Sequence, residues 1–302
     1  MKIKLFSLLT IFVTYILIVF GGYVASSESG MGCGPDWPLC NGVVIPILQG
    51  ATLVEFAHRV IGAILFILTC ILLWMIIRSR RRENGVRIAA YWMIFLLVIQ
   101  VILGAIVVIL DLPAIVVTIH LLIAMAFLAC LIWIHHSQRV SVLQLKKRSL
   151  LLSHLYGVTI LLVLTLAFGA YIKHQSYGLA CSWLDCRDSL LPVTSAQILQ
   201  TIHRTLAIVS AIYILLLTYI SFRKNWGSSI QKRLMLATIT VVVQVLIGIF
   251  TVTSNISVSW AVLHLAAGTA LFGIIIEALV SLHFAVSRIK IPDWSRQIGN
   301  KI

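Results

Sequence analysis

Four of the nine histidines, His58, His120, His203 and His264, lie inside long apolar runs, where a polar side chain is costly to hold. A lone imidazole in such a place serves either as an interhelical hydrogen-bonding group or as a metal ligand. Spacing favours ligation, because a repeat in the chain superimposes the pair 58 and 120 on the pair 203 and 264. Two imidazoles supplied from opposite helices form an axial pair for a haem iron, and the porphyrin between them needs an apolar slot with small neighbours. Ala124 and Ala126 follow His120, and Ala266, Ala267, Gly268 and Ala270 follow His264. His135, His136, His154 and His283 fall near the other ends of the apolar runs and His174 in an outer loop, where solvated interfacial roles are expected.

Charged residues beside these histidines divide the chain in two. Arg59 and Arg204 directly follow His58 and His203, and an arginine fork suits a haem propionate, although a snorkelling role toward headgroups competes. Glu55 precedes His58 by three residues and projects from nearly the same helical face, whereas its counterpart Gln200 cannot ionise. A carboxylate beside one site and an amide beside the other assigns proton-coupled chemistry to the first half. A capping box of Thr52 with Glu55 is the competing explanation of that carboxylate. Glu277 reads as an ordinary end-of-helix polar residue. Cys33 and Cys40 share one loop, and Cys181 and Cys186 share its repeat; on an oxidising face each pair is expected to form a disulfide. No Cys-x-x-Cys-His run for covalent haem attachment occurs, and Cys70 and Cys130, inside apolar runs, are expected to pack.

The elements that must carry these residues follow from composition. The chain is 61% apolar and 11% charged, far from the roughly 25% charge of a soluble domain. Eight runs are long enough to cross a bilayer as helices, over 5–24, 53–77, 88–110, 114–134, 150–172, 197–222, 233–253 and 259–284, so an all-α integral membrane fold is expected. The net charge of +14 does not imply a nucleic-acid partner. Lys2, Lys4, Arg78, Arg80, Arg81, Arg82, Arg87, Arg139, Lys146, Lys147, Arg148, Arg223, Lys224, Lys232, Arg233, Arg288, Lys290, Arg296 and Lys301 place 19 of 23 basic residues on one face. By the positive-inside rule that face, with both termini, is cytoplasmic, the membrane is the cell membrane, and anionic lipid is a fitting neighbour.

The repeat sets the architecture. Phe20, Gly21, Tyr23, Gly30 and Cys33 recur 148 residues later, His58-Arg59 recurs after 145, and Gln100, Gly104 and His120 recur after 144. Because Phe20-Gly21-Gly22-Tyr23 reappears internally as Phe168-Gly169-Ala170-Tyr171, the first run is a span and not a cleaved signal peptide. Four spans per repeat make both halves enter the membrane in the same direction, which gives two four-helix bundles, 1–140 and 141–302, related by a pseudo-twofold axis along the membrane normal.

Gly32-Cys33-Gly34, Trp37-Pro38-Leu39-Cys40, Glu55-Phe56-Ala57-His58-Arg59, Ile119-His120, His203-Arg204 and Leu263-His264 together resemble the haem A synthases, and over the whole chain the bacterial form with a cysteine pair in each large outer loop. The resemblance implies a membrane oxidoreductase that converts haem O to haem A for terminal oxidases. In that family the C8 methyl becomes a formyl group by two successive hydroxylations, the second giving a gem-diol that loses water. Carried over by position, His58 and His120 would hold the substrate haem O, Glu55 would be the essential acid, and His203 and His264 would hold a permanent haem B. The same resemblance implies dioxygen or a related oxidant, an external electron donor, and partners in haem O synthesis or terminal-oxidase assembly. The rival functions are a di-haem b-type cytochrome that only passes electrons and a haem-handling transporter.

Overall fold

Inside a bilayer every backbone N–H and C=O must be satisfied within its own segment, so apolar runs of this length become helices. The structure is a computed structural model describing residues 2–79, 84–137, 148–182, 186 and 191–284. Its elements are α1 (Lys2–Ser26), α2 (Gly50–Arg78), α3 (Asn84–Ile109), α4 (Ala114–His136), α5 (Arg148–His174), α6 (Ser195–Arg223), α7 (Ser228–Thr253) and α8 (Val258–His283). All eight are long and apolar enough to span a membrane, and the protein is an all-α multi-pass membrane protein. Several helices overrun the apolar stretches because polar turns continue them. A capping box of Thr194 with Gln197 starts α6, and α7 starts behind Gly227, whose φ of 98° suits a residue without a side chain. His174 is therefore the last residue of α5 and not part of a loop. Of the basic residues used above for orientation, Arg80, Arg81, Arg82, Arg139, Lys146, Lys147, Arg288, Lys290, Arg296 and Lys301 lie outside the described residues.

Within each half the helices form a closed ring. α1 packs on α2 and α4, and α3 packs on the same two; likewise α5 and α7 each pack on α6 and α8. Among the described residues α2 and α4 do not pack on each other, nor do α6 and α8. The histidine-bearing helices thus stand at opposite corners of each bundle, separated by the diagonal. Between the halves α1 packs on α8, α4 on α5, and α4 on α8, a pattern that maps onto itself when the halves are exchanged. The inner helices α1, α4, α5 and α8 form the seam, and α2, α3, α6 and α7 lie at the periphery.

The dry cores occupy one end of each bundle. Leu72, Ile76, Ala90, Met93, Phe127 and Leu131 close the first; Leu155, Ile214, Leu234, Phe272 and Ile275 belong to the second. All lie toward the face where α1 begins and α8 ends, the terminal face. The histidines lie toward the opposite, loop face, which carries both disulfide loops. Each bundle is consequently packed tight at one end and built around polar side chains at the other.

At the terminal face the expectation of solvated histidines fails. His135 and His136 are buried, since α4 is an inner helix, and His135 Nδ1 shares a 2.9 Å hydrogen bond with Ser7. Glu277 is no idle end-of-helix residue: it bonds His136 Nε2 at 2.7 Å and pairs with the Arg233 guanidinium. His154 bonds the Tyr213 hydroxyl at 2.8 Å. His283 does remain exposed, against the Trp133 ring.

Candidate functional site

Each of the four histidines lies at a depth its repeat partner shares. His58 and His203 come 8 residues after the first residue of α2 and α6, and His120 and His264 come 6 residues after that of α4 and α8. At 1.5 Å per residue these are about 12 and about 9 Å below the helix starts. Each pair therefore stands at a shared depth on helices at opposite corners of one bundle.

A glycine of the preceding helix backs every ring. A Cβ built on Gly21 of α1 would stand 3.2 Å from His58 Cε1, and one on Gly104 of α3 would stand 3.3 Å from His120 Cε1. In the second half the approach is closer: 2.8 Å from Gly169 to His203 Cε1 and 3.1 Å from Gly248 to His264 Cε1. At Gly169 a Cβ would force a shift, and at the other three the ring would have to give by a few tenths of an ångström, so glycine gives the rings their closest seat against the neighbouring backbone. The sequence points to small residues on the ligands' own helices, whereas the glycines that touch the rings are on adjacent ones. Ala126 is in fact exposed. The signal was present, because Gly21, Gly104, Gly169 and Gly248 all recur in the repeat.

These residues fit a haem. Among the described residues no group of three or more His, Cys, Asp or Glu gathers around a bare metal ion, but an iron porphyrin brings its own equatorial nitrogens and needs only an axial pair. The Nδ1 atoms of His58, His120 and His264 are buried without a hydrogen-bond partner, as are the side-chain oxygens of Gln100 and Gln244. Leaving buried polar atoms unpaired costs roughly 1–3 kcal/mol each, and five of the seven such side-chain atoms among the described residues belong to these histidines and glutamines, Arg87 Nε and Ser210 Oγ being the others. His203 differs, since its Nδ1 is 2.9 Å from the Thr165 carbonyl oxygen; donating there fixes the tautomer that leaves Nε2 free for a metal. Gln244 Nε2 lies 3.4 Å from His264 Nε2, at the weak end of hydrogen bonding. Two open apolar grooves, one of about 420 Å³ lined by Trp92, Cys130, Trp133 and Val280, the other of about 430 Å³ between α6 and α7, lie toward the terminal face and touch none of the four histidines.

Above each pair the loop is tied down by the residue three positions before the first ligand. The Cys33 amide donates to Glu55 Oε2 at 2.7 Å, and the Cys181 amide donates to Gln200 Oε1 at 2.6 Å. Gln200 also donates to the Gly178 carbonyl at 2.5 Å. Glu55 instead takes the Arg59 guanidinium, at 2.5 and 3.1 Å, and Arg59 further donates to the Leu39 carbonyl at 2.9 Å. Arg204 donates to the Ser182 and Cys181 carbonyls. The capping box at Thr52 does not form. Gln49 caps α2 without a side-chain bond, the Thr52 hydroxyl donates to the Gly32 carbonyl, and Glu55, four per cent exposed, is turned into the loop. Both expected disulfides are present, Cys33–Cys40 and Cys181–Cys186. Cys70 and Cys130 are free and partly buried, as packing residues should be.

Comparison with known proteins places the chain. A profile described as cytochrome oxidase assembly protein matches residues 4–276. A relative in Bacillus pumilus named Heme A synthase is 27% identical over 291 residues, covering 90% of this chain and 92% of the relative. Proteins of the same name in an Exiguobacterium species and in Bacillus cereus are 31% identical over 267 residues, with 86% of each chain covered, and 30% identical over 292 residues, with 90% and 91% covered.

Proposed function

The chain belongs to the cytochrome oxidase assembly protein family, and from that premise we propose that it is a haem A synthase, an oxidoreductase that converts the C8 methyl of haem O to a formyl group through two successive hydroxylations. Haem is integral to this activity. His58 and His120 in the first half bind the substrate haem O, and His203 and His264 in the second hold a resident haem B. The observation that supports the assignment is the two histidine pairs at one depth, every ring backed by a glycine, with an ionisable side chain beside only one pair.

A resident haem, when bound, supplies electron transfer to the substrate site. The rest falls to the chain. His58 and His120 orient the substrate through its iron, and Gly21 and Gly104 set how deeply those rings seat. Glu55 is held beside them by the Cys33 amide and Arg59, and handles the proton as the methyl is oxidised. Arg59 acts first on Glu55 and the Leu39 carbonyl, so any propionate contact by Arg59 or Arg204 would require them to give up the partners they have. The matched depth of the two pairs disfavours a cytochrome that carries electrons across the membrane, because such a wire needs one haem near each face. The terminal face is cytoplasmic, the membrane is the cell membrane, and an external donor with dioxygen or a related oxidant completes the reaction.

The test is coexpression with a haem O source followed by chromatography of the extracted haems. Haem A from the parent and none from Glu55→Gln is the expected result. Haem B alone from the parent would return the protein to electron transfer.

A further inference from the structure

The first disulfide loop ends in a segment that the reaction does not explain. Val44, Ile45 and Ile47 are 76, 74 and 79% exposed, and Val43 and Leu48 about half exposed, while Pro46 between them is buried. The aliphatic side chains thus point away from the protein around a proline that is fixed to it. No Asp, Glu, Lys or Arg occurs between Asp36 and Glu55. In water so long an exposed apolar run would be a liability; beside a bilayer it is an anchor.

Its place in the fold decides the partner. The segment leads directly into α2 at Gly50, and among the described helices α2 packs on α1 and α3 alone, so the segment emerges at the periphery of the described helices and not at the seam between halves. Leu53, in the first turn of α2, continues the exposed apolar face. The second half repeats the device. Leu191 and Val193 are 75 and 74% exposed around a half-buried Pro192, immediately before α6, which among the described helices packs on α5 and α7 alone. Two apolar proline-centred segments thus occupy matching places in the two halves, each just before the helix that carries the first histidine of its pair.

We infer that residues 43–48, with 191–193 as their counterpart, insert into the headgroup and upper acyl region of the loop-face leaflet, so that the lipid surface itself is the partner of the disulfide loop. The coupling to the site is short. Cys40 and Val43 exchange backbone hydrogen bonds at 2.8 and 3.1 Å, Cys40 is bonded to Cys33, and the Cys33 amide is held by Glu55. Lipid contact at 43–48 fixes the height of the loop that lies on the first ligand helix. The inference does not depend on the chemistry proposed above.

Single-cysteine fluorophore labels test it in the full chain, in phosphatidylcholine vesicles, on a Cys70→Ser, Cys130→Ser background with both disulfides retained. With an environment-sensitive nitrobenzoxadiazole label at Ile47→Cys, and independently at Val44→Cys, lipids carrying a doxyl group near the headgroup should quench several-fold more than for the same label at Asp36→Cys, an exposed position of the same loop. Aqueous iodide should show the reverse order. Labels at 44 and 47 quenched by iodide as strongly as the label at 36 would overturn the inference, and so would labels shielded from both quenchers, which would mean cover by protein.

Discussion

Glu55 and Gln200 occupy the same place in two copies of one bundle, and each accepts a hydrogen bond from the first cysteine amide of its loop. An amide oxygen is therefore sufficient to anchor the loop. The carboxylate adds a negative charge, which Arg59 meets at 2.5 Å, whereas Arg204 in the other copy turns to backbone carbonyls. A buried charge costs several kcal/mol to desolvate and is kept only with a partner. A Glu55 with its counter-ion where Gln would hold the loop is what the proton-handling role proposed for the first half calls for.

The largest expected effects separate the two slots outright. His203→Ala should remove the resident haem from purified protein, and His58→Ala should leave it in place while abolishing haem A, as read by haem content per chain and by chromatography of extracted haems. A His58→Ala protein that also loses the resident haem would end the division of labour. Next, Glu55→Gln should lower haem A formation by about 10²–10⁴-fold, the range of a general acid or base. The loop should stay docked, since the second half already shows Gln in this role; the resistance of the Cys33–Cys40 disulfide to an added reductant would be unchanged. The reciprocal Gln200→Glu should leave haem A formation close to that of the parent. Normal yield from Glu55→Gln would remove the chemical meaning of the asymmetry.

A smaller effect grades the two halves against each other. Alanine at the four backing glycines overpacks a ring, at a cost of roughly 1–3 kcal/mol where the neighbour cannot yield. With closest approaches of 2.8, 3.1, 3.2 and 3.3 Å at Gly169, Gly248, Gly21 and Gly104, Gly169→Ala should be the most damaging to haem retention and Gly104→Ala the least. Electron paramagnetic resonance of the low-spin haem should shift for the second-half variants even where haem is retained. A tighter seat suits a resident haem and a looser one suits a substrate that must leave. Equal or inverted effects would mean that seat depth does not distinguish them.

Helix number, the repeat and the four histidines were legible because each is written in a property that a single chain position carries: hydropathy, identity at a fixed offset, or a polar residue where polarity is costly. What touches what across helices was not. The glycine seats were visible as repeated residues, but their contact with Cε1 depends on helix rotation, which the low amphipathicity of spans apolar on every side leaves unmarked. Thr52 and Glu55 satisfied the spacing of a capping box, yet α2 begins earlier and both side chains serve the preceding loop, a long-range demand that overrides a local pattern. His136 and Glu277 looked interfacial by position along their spans, and only the placement of α4 and α8 at the seam between halves buries the one and pairs the other.

That seam supplies the smallest effect and a place where the halves are joined unequally. At the repeat offset of 144, Glu277 corresponds to Trp133 and Arg233 to Ala89, so the ion pair between α7 and α8, with its bond to His136 of α4, exists once. It ties the second bundle to the first at the terminal face, far from either slot. Breaking a fully buried pair costs about 3–5 kcal/mol, but the Glu277 side chain is 32% exposed and solvent screens part of the loss, so Glu277→Gln should destabilise by about 2 kcal/mol. The measurement is thermal unfolding of the detergent-solubilised protein beside haem content at low temperature. A lowered midpoint with unchanged haem content is expected, since the ligands lie at the other end of the bundles. Loss of haem from Glu277→Gln before any unfolding would mean that the terminal face controls the slots, and the separation of packed end from polar end would have to be abandoned.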